Sequence, residues 1–145
     1  MKQVEIVEAL EAIRHADGGV LQPERVVTEA ASKHHPLHGQ FLWDDTAAGH
    51  QYRIWQARRM IDTCVTVLAA TGKRMKVYVS LSGDRKDEGG GYRALVEVMG
   101  KKTYREQLLA EALAKLNRFQ EEYRDLEELS EVFAAARRVR SGVPA

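Results

Sequence analysis

The chain has one cysteine and three prolines in 145 residues, and it has no long apolar run. A single cysteine, Cys64, excludes an internal disulfide framework and a zinc site built on cysteine pairs. The longest apolar stretch falls far short of the ~20 residues that span a bilayer. The opening residues, MKQVEIVEALEAIRHA, alternate acids with apolar side chains, so the basic start and unbroken apolar core of a secretory signal are missing. There is no internal repeat and no low-complexity segment. A net charge of +1, from 22 basic and 21 acidic residues, excludes a uniformly basic or acidic chain. These absences point to a cytoplasmic protein with no membrane partner. What is present is the composition of a globular domain, 44% apolar and 30% charged. The length suffices to bury roughly two thirds of the unfolded surface.

The small net charge hides an uneven distribution. Residues 1–50 carry −4, residues 51–72 carry +2, residues 73–105 carry +5 and residues 106–145 carry −2. Positive charge gathers in the middle of the chain, where it would attract an anionic partner.

Helical spacing of Val4, Ile6, Val7, Leu10 and Ile13 predicts a first helix, stopped by Asp17-Gly18-Gly19. A second begins at Pro23, whose missing N–H costs nothing in a first turn, and must stop before Pro36. After a loop over 33–43, a third helix of about 25 residues runs to Thr71-Gly72, capped by Asp44 or Asp45. Its core face is Ile54, Ala57, Ile61, Cys64, Val65 and Leu68. Cys64 on that face reads as inert core. Two strands follow, Lys76–Leu81 and Tyr92–Met99, joined by a glycine-rich connection that should be mobile and held by no packing. Thr103 and Glu106 have the spacing of a capping box. From there no proline or glycine intervenes to Arg140, which predicts one helix of roughly 55 Å. Leu109, Leu116, Phe119, Tyr123 and Leu126 lie on its heptad seam, a surface for self-association. The fold class expected is therefore α+β and mainly helical: three N-terminal helices, a β-hairpin in winged-helix-like order, and a long C-terminal helix. Residues 1–100 form a compact unit, and 101–145 form the oligomerisation helix and a short tail.

The order helix, helix, helix, hairpin is that of a winged helix-turn-helix, in which the third helix reads DNA and the hairpin tip touches backbone. Arg53, Arg58 and Arg59 on the third helix supply donors for phosphates or base edges. Arg85 and Lys86 stand at the tip, with Lys73 and Arg74 beside the hairpin. Two features pull the other way: the third helix is long for such a role, and the first two helices are acidic. Trp43, Tyr52 and Trp55 are either core aromatics or anchors for a protein partner. His34, His35 and His38 lie close to Asp44, Asp45 and His50, but Pro36 breaks the helical spacing that would aim them at one metal. No metal is expected. Adjacent Asp44 and Asp45 point apart at a helix start, so no acid–base pair is expected either. The run Gly89-Gly90-Gly91 lacks the lysine and hydroxyl of a phosphate loop.

The segments GGVLQPERVVTEA, PLHGQFLWDDTAAGHQYRIWQARRMI and GGGYRALVEVMG, with the helical segment after them, resemble small uncharacterised proteins of bacteriophages and prophages. The resemblance covers most of the chain. It implies a bacterial cytoplasm, proximity to phage DNA and frequent oligomers, and supplies no catalytic residues. The reading that follows is a non-catalytic DNA-binding protein of phage origin, acting in regulation, replication support or packaging. It needs no cofactor and forms a homo-oligomer. The alternative is a protein–protein adaptor or assembly component that binds a phage or host protein.

Overall fold

The computed structural model describes residues 1–43, 46–86 and 90–142. The chain divides into two compact units, Met1–Lys101 and Lys102–Ala145. Its class is α+β and mainly helical, with small antiparallel sheet pairs and a long helix in its C-terminal part.

In the first unit, α1 spans Gln3–Ala16 and buries Ala9, Leu10 and Ile13, one stripe of an amphipathic helix. Two glycines then turn the chain at φ values of 74° and 98°, a region open to Gly18 and Gly19 but strained for side chains with a Cβ. Helix α2, Pro23–Ala30, buries Val26, Val27 and Ala30. The loop beyond it passes through a short 3-10 turn, His38–Gln40, and sends Leu37 and Phe41 into the core. Helix α3 spans Ala47–Thr63 and buries Ala57 and Ile61. Its cap is Thr46, whose hydroxyl accepts the Gly49 N–H at 3.0 Å. Asp44 and Asp45, the expected caps, lie outside the described residues.

Helix α3 ends eight residues before the expected Thr71. The sequence there is Cys64-Val65-Thr66-Val67, and β-branched side chains lose rotamer freedom in a helix but suit a strand. Val65–Val67 accordingly form β1, antiparallel to β2, Arg74–Lys76, with Val65 opposite Lys76 and Val67 opposite Arg74. Cys64 itself is buried, which pushes its thiol up to about 11 and keeps it protonated.

The expected pairing of the two later strands is present but short. Strand β3, Tyr78–Val79, pairs with β4, Arg93–Ala94, in the register Tyr78 opposite Ala94. Leu21, between α1 and α2, adds a third rung: its N–H donates to the Tyr92 carbonyl at 2.8 Å and its carbonyl accepts the Tyr92 N–H at 2.9 Å. The segment expected to continue the second strand is instead helix α5, Leu95–Gly100, which buries Val98. The connection is also less loose than expected. Ser82–Arg85 forms a single helical turn, α4, and the buried Asp84 takes a two-pronged grip from Arg93 at 2.7 and 2.8 Å. Gly91 is buried, and a Cβ there would come within 2.6 Å of Val20 Cγ1. Asp87, Glu88 and Gly89 lie outside the described residues.

One polar cluster sits inside this unit. Arg14, almost fully buried, donates to both Glu11 carboxylate oxygens at 2.9 Å and to Glu97 at 3.0 Å. The Tyr78 hydroxyl donates to Glu11 at 2.9 Å. Burial raises the Glu11 carboxyl, but the hydrogen bonds from Arg14 and Tyr78 and the guanidinium charge outweigh it and hold the group below its usual range.

In the second unit, α6 spans Lys102–Tyr123, and among its residues none is buried. The helix starts at Lys102, so Thr103 lies inside its first turn rather than at its cap. The single helix expected to reach Arg140 stops at Tyr123 after about 33 Å. A 3-10 turn, Glu127–Leu129, leads into α7, Ser130–Ser141, which ends at Gly142 with φ 70°. The acids supply a reason for the break without glycine or proline. Glu121, Glu122 and Asp125 would oppose the negative end of a helix, whereas Glu127, Glu128 and Glu131 favour the positive start of a new one. Helix α7 returns along α6: Phe133 packs edge-on against Phe119 at 6.2 Å, and Arg140 donates to Asn117 and Gln120.

Candidate nucleic-acid interface

Helix α3 has two unlike sides. The inner side carries Ala57 and Ile61, together with Arg53, which sequence reasoning assigned to the ligand face. Arg53 is buried. Its Nη1 donates to the Leu42 carbonyl at 3.1 Å, and its guanidinium lies 5.1 Å from the centre of the Trp43 ring. Trp43 in turn stacks on His38 at 4.9 Å with the planes 11° apart, and its indole N–H donates to the His38 carbonyl at 2.9 Å. Arg53 therefore fastens the loop before α3 to the helix. It is a structural residue, and Trp43 belongs to the same fastening rather than to a free anchor.

The outer side presents Gln51, Tyr52, Trp55, Arg58, Arg59 and Asp62, all exposed. This is the three-and-four spacing of one helical stripe. Tyr52 and Trp55 stack on each other with centroids 5.5 Å apart and planes 21° apart, and each is about half exposed. The Arg59 guanidinium lies 5.5 Å from the centre of the Trp55 ring. Solvent-facing aromatics held against each other and against a cation form a rigid planar surface with little rotamer entropy left to lose.

Burial raises the Tyr92 hydroxyl, Asp62 adds to this by charge and by hydrogen bond, and the Arg58 and Arg85 cations act in the opposite sense. Tyr92, which sequence reasoning did not single out, thus responds to charges on both the α3 stripe and the α4 turn. Arg85 is anchored by donating to the Ser80 carbonyl. Lys86, next to it, is exposed. Lys73 and Arg74 are exposed as well, but on the β1–β2 hairpin beyond the C-terminus of α3 rather than on the β3–β4 pair.

Two histidines serve the backbone and a third meets a carboxylate. His38 Nδ1 bonds the Ala30 carbonyl at 2.8 Å, His35 Nδ1 accepts the Leu37 N–H at 3.2 Å, and His50 sits 3.3 Å from Glu24. Among the described residues, no three His, Cys, Asp or Glu side chains gather as a metal site. Among those residues no helix is long and apolar enough to cross a membrane. In the second unit, Leu109, Leu116, Phe119, Tyr123 and Leu126 are all exposed to a third or more of their surface.

The chain matches no family model, no curated protein and no solved structure.

Proposed function

We propose that the chain is a non-catalytic DNA-binding protein whose interface is the outer stripe of α3 together with the α4 turn. The observation that carries this is the Arg59 guanidinium over Trp55, itself stacked on Tyr52, with Arg58 on the same exposed stripe. Phosphates need cations held in register, and bases need planar partners; this stripe supplies both. The element order supports it further. α1, a strand rung at Leu21, α2, α3 and then β3, α4 and β4 follow the winged-helix order, with the extra hairpin β1–β2 inserted between α3 and β3. The resemblance to phage and prophage proteins supplies the setting, a bacterial cytoplasm where phage DNA is copied, regulated or packaged.

A second reading rests on the other unit. The exposed apolar residues Leu109, Leu116, Phe119 and Tyr123 of α6, with Leu126 just beyond its end, favour a protein-binding or assembly role through self-association. The two readings are separable by salt. Counterion release makes DNA affinity fall steeply as salt rises, while an apolar interface barely responds. Fluorescence anisotropy on labelled DNA should give a slope that flattens by about one for each of Arg58→Ala, Arg59→Ala and Arg85→Ala. Unchanged affinity in the triple variant, with the fold intact by circular dichroism, would overturn the interface.

A further inference from the structure

We infer that the DNA bound is single-stranded, with unpaired bases stacking on the Tyr52–Trp55 pair while Arg58, Arg59 and Arg85 hold the backbone. This rests on the DNA reading above and specifies its substrate.

The centre of the α3 stripe decides between duplex and single strand. A helix reads the major groove through donors and acceptors that match base edges. Here the middle of the exposed stripe is occupied by two aromatic rings already stacked at 5.5 Å, flanked by the arginines rather than replaced by them. Such rings offer a duplex only methyl contacts. To an unpaired base the pair offers the ring face and edges that Tyr52, Trp55 and Arg59 leave uncovered, and stacking of this kind tolerates any sequence. Arg59 against Trp55 extends that surface with a guanidinium, which stacks and also reaches phosphate.

Charge points the same way. A duplex carries one negative charge per ~1.7 Å of axis and needs a broad basic surface. The basic surface here is narrow. Acids interrupt it: Asp62 stands on the stripe itself, and Glu24 of α2 meets His50 in the first turn of α3. A single strand, half as dense in charge and free to bend, can follow a narrow basic track that a rod of two strands cannot.

The test compares a labelled twenty-nucleotide oligo(dT) with a twenty-base-pair duplex on the full-length protein. The single strand should bind at least tenfold more tightly, and binding should quench tryptophan fluorescence. Trp55→Ala should weaken single-strand binding by about tenfold or more, the size of one lost stacking partner. Trp55→Phe should restore most of the affinity but lose most of the quench, because the remaining indole, Trp43, is held in the loop. Equal or tighter duplex binding, or a Trp55→Ala protein that binds oligo(dT) as well as the parent, would overturn the single-strand assignment and leave the arginine interface standing. If neither probe binds, both this inference and the DNA reading fail.

Discussion

Trp43 and Trp55 stand twelve residues apart, and each has an arginine over its ring and an aromatic neighbour stacked on it. The chemistry is the same, but Trp43 lies in the loop before α3 and Trp55 on the outer side of the helix. Around Trp43 every element is tied inward: the indole N–H to a carbonyl, Arg53 to the Leu42 backbone, the ring to His38. Around Trp55, among the described residues, the ring partners are Tyr52 and Arg59, and about half of each aromatic residue faces water, against 38% of Trp43. A tryptophan–arginine pair is therefore not in itself a binding site. It becomes fixed structure when its polar atoms find backbone partners, and it stays available when they do not.

The sharpest way to break this comparison is to remove the two arginines. Arg53→Ala should cost about 2–3 kcal/mol, because a buried charged donor is lost and the loop it fastens is released. Arg59→Ala should change stability by less than ~0.5 kcal/mol. Urea unfolding of the two variants gives the difference, and equal losses would dissolve the distinction between the two sites. The tryptophans should repeat the pattern with a smaller gap. Trp43→Ala should destabilise by about 2 kcal/mol, less than a fully buried ring, while Trp55→Ala stays near the parent. An acrylamide titration sharpens it further: quenching should be strong in Trp43→Phe, where Trp55 alone emits, and weaker in Trp55→Phe.

The smallest effect concerns the other inward-facing arginine, Arg14. Its partner Glu11 is held below the usual carboxylate range, so the contribution of this cluster is complete above the unfolded carboxyl value and fades as pH falls through the lower folded one. Glu11→Gln should cost about 1 kcal/mol near neutral pH and make the acid side of the stability profile shallower. A variant with the parent's acid limb would show that the cluster does not contribute through ionisation.

Much of the fold could be read in the sequence because it rests on local rules. The periodic apolar residues of the first two helices, Pro23 at a first turn, and Gly18 and Gly19 at a stop all act within a few residues. The elements misread are those decided by competition. Val65, Thr66 and Val67 continue a helical apolar pattern, yet they gain more from the strand opposite Arg74–Lys76. Leu95–Gly100 looks like a strand until Val98 finds the core as a helix. The break after Tyr123 has no proline or glycine to announce it and follows from the acids around it. The candidate site was half legible. Tyr52, Trp55 and Arg59 share a stripe by spacing alone, whereas the inward turn of Arg53 depends on where the Leu42 carbonyl ends up. The Glu11–Arg14 cluster was not singled out, because nothing local marks Glu97 and Tyr78 as its partners.

The rung between Leu21 and Tyr92 also sets a timetable. It closes a loop of about seventy residues, so its two hydrogen bonds come only after a large loss of chain entropy. A nascent chain that has released α1, α2 and α3 still lacks Tyr78, the largest fully buried side chain, and the strand that Leu21 must meet. The first unit can complete itself only when residues past Ala94 leave the ribosome. Until then the apolar faces of three helices are together but unsealed, and the amides of Leu21 and Tyr92 should be the last pair to gain protection from hydrogen exchange.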